Sequence, residues 1–144
     1  MNSSYVVGID VGGQTTKLGV VDARGTVLAQ TVIRTDTYTD IEPYIAELAE
    51  ALKKVIRESN TEGLIKGIGV GAPNGNYYTG TIENAVNLSW GGTKTIQFTK
   101  LLSEAMNGLP VALTNDANAA AVGEMTYGAA RGMKNFIMIT LGTG

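Results

Sequence analysis

The sequence predicts an α/β domain built on a mixed sheet, with an antiparallel three-strand edge to which parallel strands are added through helical crossovers. Three observations carry that expectation. Three short apolar runs near the N-terminus are separated only by brief turn signals. Beyond them the hydrophobic period alternates between helical stripes and further short apolar runs. The 144 residues, 44% hydrophobic and 17% charged, suffice for one domain with a core of its own.

Tyr5–Val11 is the first apolar run and leads into Gly12-Gly13. Residues 17–21 resume it, Asp22-Ala23-Arg24-Gly25 signal a turn, and residues 26–33 alternate in Val, Ile and Thr. Three strands so closely connected form an antiparallel meander. Ile41, Ile45, Leu48, Leu52 and Ile56 then describe one stripe of an amphipathic helix, with Thr39 and Glu42 as a capping box and Gly63 just past its end. Residues 65–71 read as a strand, and residues 74–90 as a polar excursion, a long loop or small hairpin.

Phe98, Leu101, Leu102 and Ala105 mark a second helix that Asn107-Gly108-Leu109-Pro110 stops. Residues 111–114 form a short strand, Asn115-Asp116 opens an Ala-rich helical stretch through Glu124, and residues 136–141 form a last strand. The chain closes on Gly142-Thr143-Gly144. A strand that hands over to a bare glycine turn leads us to expect the N-terminal part of a longer protein.

Composition narrows the chemistry. With no Cys and no His, disulfides, thiolate nucleophiles, Ser-His-Asp triads and ordinary zinc sites are excluded, and acid–base work falls to Asp, Glu, Lys or Tyr. A net charge of −2 without a basic cluster argues against a nucleic-acid partner. No apolar run approaches the ~20 residues needed to span a bilayer, and Met1-Asn2-Ser3-Ser4 lacks the basic segment of a signal peptide. We therefore expect a soluble, cytoplasmic chain with no membrane partner. The 19 glycines cluster at the ends of apolar runs, where tight turns and close ligand approach need them.

Asp10-Val11-Gly12-Gly13-Gln14-Thr15-Thr16-Lys17 joins two strands, and two readings stand side by side there. One is a hairpin turn in which Gly-Gly supplies positive φ. The other is a phosphate cradle of backbone N–H groups and Thr hydroxyls, with Asp10 holding a metal ion through water. A Walker loop is excluded, because a strand follows where a helix should. Gly67-Ile68-Gly69-Val70-Gly71 is no dinucleotide fingerprint either, since it lies within a strand and Pro73 follows it.

Thr114-Asn115-Asp116-Ala117-Asn118 is the most informative segment. Capping explains one polar residue at a strand-to-helix junction, not three in five. Ligands of open sheets bind beyond the carboxyl ends of strands, where a carboxylate can accept the proton of a substrate hydroxyl and a neighbouring amide can hold the next hydroxyl. Asn74, Gly75, Asn76, Asn84 and Asn87 give the polar excursion a density of amides suited to sugar hydroxyls, although Asn and Gly also populate turns. Asn87, set between Val86 and Leu88, is the favoured ligand residue of that group. Trp90 reads as a core or lid anchor, and Glu124 as a structural or solvated charge.

These segments resemble a known family. Gly8-Ile9-Asp10-Val11-Gly12-Gly13 with Gly19 beyond it, Gly71-Ala72-Pro73, Asn84-Ala85-Val86-Asn87-Leu88-Ser89-Trp90, the run from Asn115 to Glu124, and Leu141-Gly142-Thr143-Gly144 are similar, in this order and nearly end to end, to the motifs of the ROK family of repressors, open-reading-frame proteins and sugar kinases, within the actin-like ATPase superfamily. The resemblance implies an RNase-H-like lobe spanning residues 1–144 and a second lobe of the same type outside this chain, with ATP and a hexose bound between them.

Asp116 matches the family's catalytic base and Asn115 its sugar-binding neighbour. Asn87 matches a sugar-contacting Asn, and Gly75 with Asn76 lies in the loop that approaches the sugar. Asp10, Gly12, Gly13, Gln14, Thr15, Thr16 and Lys17 stand at the first phosphate motif, Asp10 serving Mg2+, and Gly142, Thr143 and Gly144 begin the second. Gln14 stands where the family usually has Thr. The family's zinc motif, its sugar-binding His and Glu and its adenosine pocket belong to the second lobe. The resemblance thus implies a glucokinase-like, ATP- and Mg2+-dependent kinase of a hexose or N-acetylhexosamine, homo-oligomeric at full length, and little or no turnover by this chain alone. The alternatives are a sugar-sensing transcriptional regulator and a non-catalytic sugar-binding protein of the same family; with the first strand beginning at Tyr5, we expect no DNA-binding domain before it.

Overall fold

A computed structural model of the chain describes residues 5–22, 26–76 and 78–115. Five strands form the main sheet: β1 (Tyr5–Val11), β2 (Thr15–Asp22), β3 (Val27–Arg34), β4 (Ile65–Gly71) and β8 (Val111–Thr114), in the spatial order β3-β2-β1-β4-β8. The first three are antiparallel neighbours, and β4 and β8 join in parallel, β4 beside β1 and β8 beside β4. This is the mixed sheet that the alternation of periods predicts.

Between β3 and β4 runs α1 (Ile41–Glu58), and α2 (Phe98–Ala105) precedes β8. Every residue of the stripe read from the sequence is buried along α1, together with Tyr44, Ala49 and Val55. These side chains meet Val7, Ile9, Val11, Leu18 and Val20 of the sheet, which alternation places on a single face. α1 begins at Asp40, whose side chain makes no cap bond, so the Thr39–Glu42 capping box does not form; Glu42 instead lies in the first turn, where it favours the helix dipole. The helix ends before Gly63: Ser59 is its C-cap, and Asn60 takes the left-handed position at φ 57°. α2 stops as its sequence dictates, with Asn107 and Gly108 both left-handed and the Gly108 N–H donating to the Ser103 carbonyl at 2.8 Å.

The polar excursion after β4 is neither one long loop nor a single hairpin. It organises as a small antiparallel sheet of β5 (Gly75–Asn76), β6 (Thr81–Glu83) and β7 (Thr95–Ile96). Trp90, only 1% exposed, roots the loop between β6 and β7 in the core, its ring stacked on Tyr44 at 4.7 Å and on Phe98 at 6.0 Å. Trp90 is therefore a core anchor. The helical stretch from Asp116 through Glu124 and the strand at residues 136–141 lie outside the described residues. Among the described residues no helix is long and apolar enough to cross a membrane.

Candidate functional site

In-register pairing brings three loops together at the carboxyl ends of the parallel strands. Asp10 stands opposite Lys17 of β2 on one side and Gly71 of β4 on the other, and Gly71 in turn stands opposite Thr114, the last residue of β8. The β1–β2 hairpin, the start of the polar excursion and Asn115 thus issue from one end of the sheet. This is where an open sheet binds its ligands.

The hairpin loop is tight because the Gly12 N–H donates to the Thr15 carbonyl at 2.9 Å. Neither Gly12 nor Gly13 adopts positive φ. Glycine is demanded there by close approach instead. A Cβ on Gly12 would lie 2.9 Å from the Thr15 carbonyl oxygen, and a Cβ on Gly13 would lie 3.1 Å from the carbonyl oxygen of Asn87. The second distance shows how closely the Asn84–Trp90 segment approaches the hairpin. Gln14 is exposed, and its carbonyl accepts the Thr35 N–H at 2.8 Å.

Strand alternation divides the residues of this segment. Asp10 and Lys17 face one side of the sheet; Val11 and Thr16 face the other with Leu18 and Val20. Thr16 is fully buried, and its hydroxyl lies 2.7 Å from both the Thr35 hydroxyl and the Tyr44 phenol. Thr16 therefore points into the helix-covered core and not into the hairpin loop, a distinction missed because β2 begins at Thr15, two residues before the apolar run that marks it in the sequence. Thr15 is half-buried at the loop's end.

Burial raises the Asp10 carboxyl above its ordinary value, and the Lys17 ammonium opposes the shift. The folded state then holds the Asp10 proton to higher pH than the unfolded chain does. Stability falls as pH rises from the unfolded value of 3.8 through the raised one, and the full penalty persists above it. Asp10→Asn is accordingly expected to melt higher than the parent at neutral pH, the difference shrinking toward zero as pH falls below 3.8; thermal melts across pH check this. A gap that stays constant with pH would contradict it.

Gly75 seats the small sheet on β8. Its Cβ would lie 2.5 Å from the Thr114 carbonyl oxygen and 3.1 Å from Leu113 Cδ1, and the Ala72 N–H donates to that same Thr114 carbonyl at 2.9 Å. Gly75→Ala must push β5 off the end of β8 beside Asn115. We expect a loss of about 1–3 kcal/mol in denaturant unfolding, as for other overpacked sites; an unchanged midpoint would show that the junction yields freely.

The amides of the excursion separate by role. Asn74, at φ 59°, donates through Nδ2 to the carbonyls of Glu83 (3.0 Å) and Asn84 (2.9 Å), and so ties the small sheet together. Asn76 Oδ1 accepts the N–H groups of Tyr78 (2.9 Å) and Thr79 (3.2 Å), which is turn chemistry. Asn87 is exposed, and its setting is not apolar as its neighbours suggest: Leu88 is buried but Val86 is 73% exposed. Asn115 is exposed at the end of β8. Asp116, Gly142, Thr143 and Gly144 lie outside the described residues.

Among the described residues no group of three or more Asp, Glu, His or Cys is placed to hold a metal ion. One half-buried carboxylate beside hydroxyl and backbone donors suits Mg2+, which keeps most of its waters and binds through few carboxylates and substrate phosphates, better than it suits an all-protein cage. The donor set at Asp10, Gly13 and Thr15 fits a magnesium–polyphosphate group on that ground, while the Gly12 N–H is already taken by the Thr15 carbonyl.

The family model described as "ROK family" matches residues 6–144. The chain is 37% identical over 146 residues to a glucokinase of Halalkalibacterium halodurans, covering 100% of this chain and 43% of that protein. A ROK hexokinase structure from Thermus thermophilus superposes with a TM-score of 0.64 at 35% identity, over 81% of this chain and 36% of the other. A ROK family glucokinase from Streptomyces griseus, in complex with glucose and AMPPNP, superposes with a TM-score of 0.59 at 29% identity, over 89% of this chain and 38% of the other. The chain thus spans less than half the length of these relatives.

Proposed function

The chain belongs to the ROK family, and from that premise we propose that it forms the N-terminal lobe of a two-lobe, ATP-dependent hexose kinase, glucokinase-like in its reaction. The observation that carries the reading is the close approach of the Asn87 carbonyl to Gly13, which brings a loop suited to phosphate beside a loop suited to sugar hydroxyls at the carboxyl end of the sheet. The glucokinase bound to glucose and AMPPNP supports it by likeness.

In this proposal Asn87, Asn115 and the loop at Gly75 and Asn76 hold the sugar, and Asp116 accepts the proton of the attacking hydroxyl. Gly12, Gly13, Gln14, Thr15 and Lys17 face the phosphates; Gly142, Thr143 and Gly144 begin the opposing phosphate turn. Thr16 shapes the hairpin from within the core, since its hydroxyl is already taken by Thr35 and Tyr44. Asp10 orients Mg2+ through water. Mg-ATP supplies the phosphoryl group, and the protein contributes positioning and charge neutralisation more than covalent chemistry.

The test is ADP release by the full-length protein across a panel of hexoses and N-acetylhexosamines. Sugar-dependent release is expected and names the substrate. Sugar binding without ADP release would replace the kinase with a sensor or sugar-binding protein, and neither binding nor release would remove the sugar site altogether.

A further inference from the structure

We propose that Thr35 is a positioning residue that locks the hairpin loop at Gly12–Thr15 and the segment at 84–90 at one separation, and so sets the distance between the phosphate and acceptor sides of the site; this rests on the kinase reading above. Thr35 follows the last residue of β3 and is fully buried. Its three polar groups serve three different segments. Its N–H donates to the Gln14 carbonyl in the hairpin loop at 2.8 Å. Its hydroxyl lies 2.7 Å from that of Thr16, which continues at 2.7 Å to the Tyr44 phenol on α1. Its carbonyl lies 3.3 Å from Ser89 Oγ, which shares its one proton between Thr35 and the nearer Tyr38 carbonyl at 2.5 Å.

The circuit closes through the core. The Tyr44 ring stacks on Trp90, the residue after Ser89. The same two loops also approach closely where the Asn87 carbonyl nears Gly13. The loops therefore approach each other at the surface and are joined beneath it by directional hydrogen bonds through Thr35, buried on the Thr16–Tyr44 side and part-buried on the Ser89 side. In a low-dielectric interior a satisfied hydroxyl chain holds one geometry firmly. Burial keeps the Tyr44 phenol above its ordinary range, so the chain stays neutral across the working pH range. A group that fixes one reactant relative to the other acts on the chemical step and not on the binding of either.

Thr35→Val in the full-length protein keeps the shape and replaces the hydroxyl with a methyl, so the backbone bonds of residue 35 to Gln14 and Ser89 lose their anchor on Thr16 and Tyr44. Hydrogen–deuterium exchange is expected to rise about tenfold at the amides of 12–15 and 86–90 together. The kcat should fall about tenfold or more with both KM values within about twofold, equally at each pH tested, and Thr35→Ser should restore it. Should Thr35→Val fail to fold, Ser89→Ala cuts the other side of the joint and is expected to quicken exchange in the hairpin loop as well as in its own. Exchange that rises in one loop only, a loss carried by KM, or no rescue by Ser would overturn the proposal. A parent protein without sugar-dependent ADP release would sink the kinase reading alone, and the exchange measurement would still decide whether Thr35 couples the loops.

Discussion

Asp116→Asn in the full-length protein is expected to lower kcat for sugar-dependent ADP release by about 10²–10⁴, the range that a positioned general base contributes. Asn preserves the size and the hydrogen-bonding shape of the carboxylate but cannot take the hydroxyl proton. The sugar KM should therefore move little, because the proposed sugar contacts of Asn115, Asn87 and the Gly75 loop are kept. The loss belongs to the transition state, where the proton leaves as the new bond to phosphorus forms. Steady-state kinetics with the sugar identified in the panel check this directly. A variant within about fivefold of the parent would show that another group, or water, takes the proton.

Trp90→Ala is expected to be the most destabilising single change among the described residues, at about 3–5 kcal/mol. The side chain is 1% exposed and stacks against Tyr44 and Phe98, so truncation opens a cavity between α1, α2 and the small sheet and breaks two ring contacts. Against a total stability of about 5–15 kcal/mol this is a large share, and the melting temperature should fall by about 10–15 °C. The indole Nε1 has no hydrogen-bond partner among the described residues, so Trp90→Phe, which keeps the stack and discards that donor, should recover most of the loss. A Phe variant as unstable as the Ala variant would assign the energy to the indole's size and not to ring stacking. Because Ser89 is the adjacent residue, the Ala variant should also loosen the loop that carries Asn87.

Much of the architecture is legible in the chain because it depends on local periodicity. The stripe from Ile41 to Ile56, the stop at Asn107-Gly108 and the three-strand meander each follow from which residues can share a face or adopt a left-handed turn. The motif residues at Asp10, Gly12, Gly13, Gly75, Asn87 and Asn115 are likewise legible as a set, and four of those six lie at or just past strand ends that the main sheet brings together, while Gly75 and Asn87 belong to the small-sheet insertion. Finer assignments failed where they rested on neighbours in sequence. Val86 and Leu88 suggest an apolar setting for Asn87, yet one points outward and the other inward. Thr39 and Glu42 have the spacing of a capping box, yet the helix starts at Asp40 without a side-chain cap.

What the sequence by itself determined is the order and kind of the main-sheet strands and of the two helices among the described residues, the ROK motifs along them and, through the absence of His and Cys, the residue types left for chemistry. Only the tertiary structure decided why Gly12, Gly13 and Gly75 are glycine, that Thr16 belongs to the core, and that Thr35 reaches Gln14, Thr16 and Ser89 from one buried position. The reason is physical. A turn or a stripe is set by torsional preference and spacing within a few residues, whereas a carbonyl that arrives from a distant segment, or a hydroxyl that finds its partner across the sheet, exists only once β1, β2 and β4 have paired and α1 has closed over them.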